Sequence, residues 1–391
     1  MPSVLVVRGQ FANPWELGSW RELPDRFEVS YLLTSSNRFD APEGLRAVDV
    51  HALRDVLPQR GLGELAAEAL GDRYWGAGHA FADADVVHAA ELSFWFAAEA
   101  AKRKLGHGFR LVQTVWETIP LLEAYRRGKH RRYRDLVLAQ TDLFLAATER
   151  AANALRLEGV EEQRILVCPP GIDVQRFSRA RGRRDAPSEH TIISPGRLAW
   201  EKGHQDVLRA LAALHRGLVR LPDGRLTKPR LLIIGSGPEE RRLRAHAAEL
   251  GLADAVEIHT VPYEEMPTVF AGASAMVLAS LSSPSGAHHP MDIPRAFWEE
   301  QFGMVLAEAM AAGLAIVAST SGAIPEVLAG APVDLVAPGD WMAIAGALAA
   351  GPLTRDPATR VAYPAELVGR YSTGAAARRL AAAYDRVLAE R

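Results

Sequence analysis

The sequence predicts an α/β protein of two similar, doubly wound domains facing a central cleft. Short β-branched or apolar runs alternate with amphipathic segments along both halves, and a polar stretch bearing Gly and Pro separates them. The length agrees, since 391 residues exceed one typical domain and a 48% apolar composition supplies two cores. In the first half, strands are expected at Ser3–Val7, Phe27–Leu33, Asp85–His88, Arg110–Val115, Asp142–Ala146 and Arg164–Val167. After Phe177 comes Ser-Arg-Ala-Arg-Gly-Arg-Arg-Asp-Ala-Pro-Ser-Glu, which has no apolar periodicity and reads as a linker. Strands resume at His190–Ser194, Arg230–Gly235, Ala255–His259, Ala275–Ala279, Ala315–Ala318 and Val333–Val336. The final segment, Thr373–Arg391, sets Ala376, Leu380, Val387 and Leu388 on one face and predicts a closing amphipathic helix. The expected organisation is a first domain over 1–175, joined by the helix of 373–391, a linker over 176–189 and a second domain over 190–372. Ligands of doubly wound sheets sit outside the carboxyl ends of the strands, so the chemistry is expected between the two domains.

Charge and cysteine content exclude several classes. Lys and Arg total 45 against 47 Asp and Glu, and the net charge of -2 gives no global attraction to nucleic acid or to an anionic membrane. The single cysteine, Cys168, excludes an internal disulfide, a Cys-based zinc site and an iron–sulfur cluster, and fits a reducing cytoplasm. The opening Met-Pro-Ser-Val-Leu-Val-Val lacks the basic start and apolar length of a signal peptide. The uncharged stretch from Met266 to Met291 is broken by Pro267, Gly272, Pro284 and Gly286, so it is not expected to span a membrane.

Two constellations in the second half can carry chemistry. In the first, Glu300 and Glu308 flank Phe302-Gly303-Met304-Val305. With a helix starting near Gly303, Glu300 lies in the preceding loop and Glu308 about two turns along. Eight helical steps span ~12 Å, the reach of an extended nucleotide sugar. The first amides of such a helix suit phosphate or sugar oxygens, and Gly303 allows close approach. Spacing alone equally allows an ordinary helix with an acidic N-terminal flank. The second constellation is Ser194-Pro195-Gly196-Arg197-Leu198-Ala199-Trp200-Glu201-Lys202-Gly203, between an expected strand and an expected helix. The Arg197 fork and the Lys202 point charge can hold a departing dianion there, although two cations on one loop also describe plain solvated surface.

Both constellations occur in one half, with Gly235-Ser236-Gly237-Pro238 between them. Together with Pro169-Pro170-Gly171-Ile172-Asp173, Arg176-Phe177 and Pro325-Glu326-Val327, they resemble the family 4 retaining glycosyltransferases, group 1, of the GT-B fold, over about Ile165 to Leu328. That resemblance implies two Rossmann-like domains. It implies a nucleoside diphosphate sugar as donor, a hydroxyl acceptor, and no metal or other cofactor. Arg197 and Lys202 match the family's diphosphate-binding pair, Glu308 the glutamate on the ribose hydroxyls, and Glu300 the glutamate near the transferred sugar. Phe302, Gly303, Met304 and Val305 match the backbone segment that touches sugar and phosphate, and Gly196, Gly235 and Gly237 join them as donor-side residues. Arg197, Lys202 and Glu300 are the expected catalytic set.

The first half departs from the family pattern. Trp116-Glu117 stands where many members carry His-Asp, and the loop after the first strand has only Gly9 of the usual glycine pair. Gly9, Asn13, His88, Trp116 and Glu117 are the expected acceptor-side residues, with a structural Trp and a structural strand-end His as the plainer readings. Asp83-Ala84-Asp85 spells a metal-type Asp-x-Asp but precedes a strand, and reads as a polar strand entry; His288-His289 reads as loop. The basic run through Arg126–Arg134 reads as a solvated helix face, with peripheral contact to an anionic membrane as its functional alternative. Two rival activities share the architecture: a nucleotide-sugar epimerase, and an α-glucan phosphorylase with its pyridoxal phosphate lysine. A donor-binding partner subunit without transfer activity is the non-enzymatic rival.

Overall fold

The computed structural model describes residues 1–57, 63, 72–122, 128–179, 189–282 and 298–390. Its first sheet contains β1 (Ser3–Val6), β2 (Glu28–Leu33), β3 (Arg46–Asp49), β4 (Val86–Ala90), β5 (Arg110–Val115), β6 (Leu143–Ala146) and β7 (Ile165–Val167), all parallel, in the order β3-β2-β1-β4-β5-β6-β7. The second contains β8 (Thr191–Pro195), β9 (Arg230–Ile234), β10 (Val256–His259), β11 (Ala275–Leu278), β12 (Ala315–Ser319) and β13 (Asp334–Val336), in the order β10-β9-β8-β11-β12-β13. Every expected strand lies within two residues of its expected position. Strands β4, β6 and β11 are buried along their whole length, as sheets covered on both faces require. In each sheet the order reverses beside the first strand, so the crevices for ligands open at the ends of β1 and β4 and of β8 and β11.

The chain divides into Met1–Ile172 with Arg370–Arg391, and Asp173–Gly369. This moves the expected boundaries. Residues 174–179 of the expected first domain and linker form a helix of the second unit, because Phe177 is buried against Phe270 at 5.3 Å and Asp173 Oδ1 accepts the Arg176 N–H at 3.0 Å. Residues 180–188 of the expected linker lie outside the described residues. At the return crossing, Ile172 and Ser372 form a parallel bridge, which draws 370–372 into the first unit.

The closing helix, Thr373–Ala389, starts where the Ser372 hydroxyl accepts the Ala375 N–H at 3.2 Å, and it buries Leu380, Ala383, Tyr384 and Val387. Tyr384 settles the role of His88. Its hydroxyl accepts from Trp20 Nε1 at 2.8 Å, so its single proton goes to His88 Nδ1 at 2.6 Å. His88 must then carry its proton on Nε2 and donate it to Thr114 Oγ1 at 2.7 Å. Burial, then the Arg8 charge, holds the imidazole well below its ordinary pKa, consistent with this neutral tautomer. His88 is fully buried and does not reach a ligand surface, which corrects its expected acceptor-side role. Tyr384→Phe strands the Trp20 donor and the His88 acceptor in a dry core. The expected loss is roughly 2–4 kcal/mol of stability, read by urea unfolding.

The Asp83-Ala84-Asp85 segment lies at the opposite end of the first sheet. Asp85 Oδ2 accepts the Ser3 N–H at 3.0 Å and the Asp83 carbonyl accepts the Ser3 hydroxyl at 2.6 Å, which fixes the entry into β1. Among the described residues there is no cluster of three or more His, Cys, Asp or Glu able to hold a metal, and no helix long and apolar enough to cross a membrane. His288 and His289 lie outside the described residues.

Candidate functional site

In the second unit, the loops that leave β8 and β9 stack on each other. The Gly196 N–H donates to Ile234 O at 2.9 Å, Leu198 N–H to Ser236 O at 2.9 Å and Glu239 N–H to Leu198 O at 2.9 Å. Gly235 has φ +150° and lies so close that a Cβ there would overlap the Gly196 carbonyl oxygen; at Gly237 it would overlap that of Leu198. The resemblance implies a donor-side role for these glycines, and their visible work is to let the second loop support the one carrying Arg197.

Lys202 and Glu300, 98 residues apart, meet directly. Lys202 Nζ donates to Glu300 Oε1 at 2.9 Å and Oε2 at 2.8 Å and lies 4.8 Å from the centre of the Trp298 ring. The carboxylate also accepts from the Ser280 hydroxyl at 2.6 Å, and the Glu300 N–H donates to Ser321 Oγ at 3.0 Å. Both side chains are nearly buried, at 14% and 6% exposure. Arg197 instead pairs with Glu201 at 2.9 Å, its side chain 67% exposed. Behind this loop, His204 Nε2 donates to the Arg197 carbonyl at 3.1 Å and Nδ1 accepts from Ser194 Oγ at 2.9 Å. Burial pushes this imidazole down to about 4, so it is a neutral brace for the loop.

Gly303, with φ +78°, precedes the helix Met304–Ala312 and, as its N-cap residue, offers the first amides no side chain. Glu308 is the fifth helical residue, so only four steps and a rise of ~6 Å separate it from Met304. This is little more than one turn, short of the expected two, while Glu300-Gln301-Phe302 is the expected loop and Phe302 turns into the core. Glu308 is buried, and burial pushes its carboxyl up to about 7 against the Tyr263 hydrogen bond (3.3 Å) and the Arg176 charge, which lower it. Arg176 donates to the Tyr263 carbonyl at 2.9 Å and stacks over its ring at 5.0 Å. Sequence reasoning missed Tyr263, Ser280, Ser321 and His204; only the strand-end position of Ser280 gave a signal.

On the first unit's rim, Gly9 (φ +59°) donates its N–H to the Tyr74 hydroxyl at 2.9 Å, and Asn13 Oδ1 accepts the Glu16 N–H at 2.8 Å; both shape the loop after β1. Trp116 lines a small pocket with Glu16, Ser19, Trp20 and Thr114. Glu117 accepts the N–H groups of Thr118 and Ile119 at 2.9 and 2.8 Å, so one carboxylate oxygen serves its own turn. In the basic run, Arg126 and Arg127 lie outside the described residues, while Arg131 pairs with Asp135 at 3.6 Å and Arg134 bonds Glu158 and Asp135.

Two family models cover most of this chain: glycosyltransferase family 4 over residues 20–176 and glycosyl transferases group 1 over residues 178–351. The chain belongs to the family 4 glycosyltransferases. Relatives of this family 4 protein include the GDP-mannose-dependent α-(1-6)-phosphatidylinositol monomannoside mannosyltransferase of Mycolicibacterium smegmatis, 32% identical over 41% of this chain and 39% of that protein. The D-inositol 3-phosphate glycosyltransferase of Pseudarthrobacter chlorophenolicus is 31% identical over 60% of this chain and 51% of that protein. The chain thus spans about half the length, or less, of these relatives. Among solved structures, Anabaena HepE in complex with UDP matches with a TM-score of 0.69 at 17% identity over 99% of this chain and 100% of that one. Sucrose-phosphate synthase from Thermosynechococcus elongatus matches with a TM-score of 0.71 at 17% identity, over 100% of both chains. The two Rossmann-like units are those of the GT-B fold.

Proposed function

We propose that this family 4 protein moves a hexose-type unit from a nucleoside diphosphate sugar to a hydroxyl acceptor with retention of anomeric configuration. The observation that carries the reading is the Lys202–Glu300 pair, which ties the loop bearing Arg197 to the segment opening the helix of Glu308. Departure of the diphosphate leaves positive charge on the anomeric carbon and negative charge on the phosphate. Groups that grip the latter more tightly in the transition state accelerate the step. Glu300 takes two N–H bonds of Lys202 and so aims the third. Arg197, exposed and paired with Glu201, is placed to turn onto phosphate oxygens. In same-face attack the carbon–phosphate oxygen bond breaks as the carbon–acceptor oxygen bond forms, and the leaving phosphate takes the acceptor proton. The reading needs no metal or dedicated base, since cationic side chains and helix amides supply the charge.

The acceptor is assigned to the first unit's rim, around Gly9, Asn13, Trp116 and Glu117. Peripheral contact with an anionic membrane through Arg126–Arg134 is its weaker part, because Arg131 and Arg134 already face acids. A cytoplasmic site of action belongs to the same proposal. The second reading, a donor-binding partner without transfer, is favoured by one observation: Glu117 engages its own turn.

A thermal-shift screen of nucleoside diphosphates and their sugars tests the donor, because a ligand at a hundred times its dissociation constant stabilises by ~2.7 kcal/mol. Hits are then incubated with polyols, inositol phosphates and phosphatidylinositol, and the product anomer is read by NMR. Inverted product overturns retention, donor isomerisation without acceptor indicates an epimerase, and binding without transfer selects the partner reading. The pH dependence is a further prediction. Ribose hydroxyls donate to ionised Glu308, so with a pKa of about 7 the affinity for the nucleotide rises about tenfold from pH 6 to pH 8. Glu308→Gln should abolish that rise in calorimetric titrations.

A further inference from the structure

Glu91 stands directly after β4 with φ +65°, in the left-handed region that a glutamate rarely adopts. Such strain persists only where the surroundings enforce it. Here they do so from the neighbouring strand: the Glu91 N–H donates to Thr114 O at 2.8 Å, its carbonyl accepts from Gln113 Nε2, and its Oε1 accepts the Trp116 N–H at 3.0 Å. One residue therefore pins three positions at the end of β5, where the chain turns into Trp116-Glu117. Glu91 is 8% exposed, and its Oε2 is buried with no hydrogen-bond partner among the described residues.

The charged groups facing it are Glu117, Glu16 and Arg8. The Arg8 guanidinium bonds Glu16 Oε1 at 2.8 Å and the carbonyls of Val7 and His88 at 3.1 and 3.0 Å, and its Nη2, buried and without a partner among the described residues, makes no bond to Glu91. Glu91 thus has two carboxylates nearby and no hydrogen-bonded cation among the described residues. A carboxyl group in such a place is better accommodated neutral than charged.

We propose that Glu91 is a positioning residue for the acceptor: as a neutral carboxylic acid it holds the Trp116–Glu117 turn, and its ionisation drives that turn away. This rests on the reading that the first unit's rim takes the acceptor. The proton leaves to solvent, and the new charge, although it strengthens the bond from Trp116 N–H, repels the buried Glu117 carboxylate. Burial, then the Glu117 charge, pushes the Glu91 carboxyl up to about 8, so the acid form is present at neutral pH and lost above it.

Two readouts test this on the full chain. The first needs no acceptor. The emission of Trp116, taken as wild type minus Trp116→Phe, changes in one step between pH 7 and pH 9, and Glu91→Gln, a neutral isostere, removes the step. The second is kinetic. With only the acid form competent, the acceptor KM rises about tenfold from pH 7 to pH 9 while the donor KM falls by about twofold at most, as Glu308 completes its ionisation, and Glu91→Gln holds the acceptor KM at its pH 7 value. A Glu91→Gln protein that melts with wild type at pH 6 shows that its fold is intact; if it melts lower, Glu91→Asp must shift the emission step instead of abolishing it. An emission step that survives Glu91→Gln, or none between pH 6 and pH 10, overturns the proposal, as does a donor KM that rises together with the acceptor KM. Failure of the transferase reading looks different: no nucleotide binds, while the emission step remains.

Discussion

Lys202→Met is expected to lower kcat by about 10²–10³-fold, the loss typical of removing one charge-stabilising contact to a transition state. It is also expected to destabilise the second unit. The ammonium is bonded to both oxygens of Glu300 at 2.8 and 2.9 Å, and the Glu300 side chain is 6% exposed, so among the described residues the variant leaves a buried carboxylate with only the Ser280 hydroxyl for a partner. Breaking a buried pair from one side costs about 3–5 kcal/mol, chiefly from the charge left behind. The double variant Lys202→Met with Glu300→Gln removes that charge and should recover most of the stability while remaining inactive. Urea unfolding separates the two effects, and calorimetry reports whether the nucleoside diphosphate still binds. A single variant that unfolds with wild type and binds nucleotide normally would show that the pair neither braces the loop nor reaches the phosphate.

The contrast between what could be read along the chain and what could not has a physical origin. Strands such as Val86–Ala90 and Ala275–Leu278 are buried on both faces, so their apolar runs announce them locally. Arg46–Asp49 was missed because it is a sheet edge with charged, mostly exposed side chains and no alternation. The helix opening at Met304 and the closing helix carried legible signals, a Gly before one and an amphipathic face on the other. Pairings that define the site were invisible for the opposite reason. Lys202 with Glu300, Tyr263 with Glu308 and Tyr384 with His88 join residues 98, 45 and 296 positions apart, and no periodicity encodes a contact made by folding. The family resemblance places Lys202 and Glu300 in one site but gives them different ligands; the direct bond between them is made by the fold. His88, a strand-end residue set among the acceptor-side candidates beside its plainer structural reading, follows the plainer one, with both nitrogens consumed inside the core.

Gly235→Ala should cost about 3–5 kcal/mol and abolish nucleotide binding without touching a ligand-facing side chain. A φ of +150° is open to glycine and strained for alanine, at roughly 1–3 kcal/mol for the backbone alone. The added methyl would also overlap the Gly196 carbonyl, so the two loops must part. Parting weakens the bonds from Gly196 N–H to Ile234 O, Leu198 N–H to Ser236 O and Glu239 N–H to Leu198 O, each worth about 1 kcal/mol net. Arg197 follows Gly196 directly, and His204 holds its carbonyl, so any shift there moves the guanidinium that the diphosphate would meet. Gly330→Ala is the matched control: its φ is +85°, but a Cβ there meets nothing within 4 Å, and the expected cost is only about 1–2 kcal/mol with nucleotide affinity unchanged. Urea midpoints and nucleotide titrations on the two variants decide the matter. Equal losses at 235 and 330 would mean that backbone strain alone is being measured; a larger loss at 235 together with lost binding identifies the loop stack as the support on which the phosphate-binding edge is built.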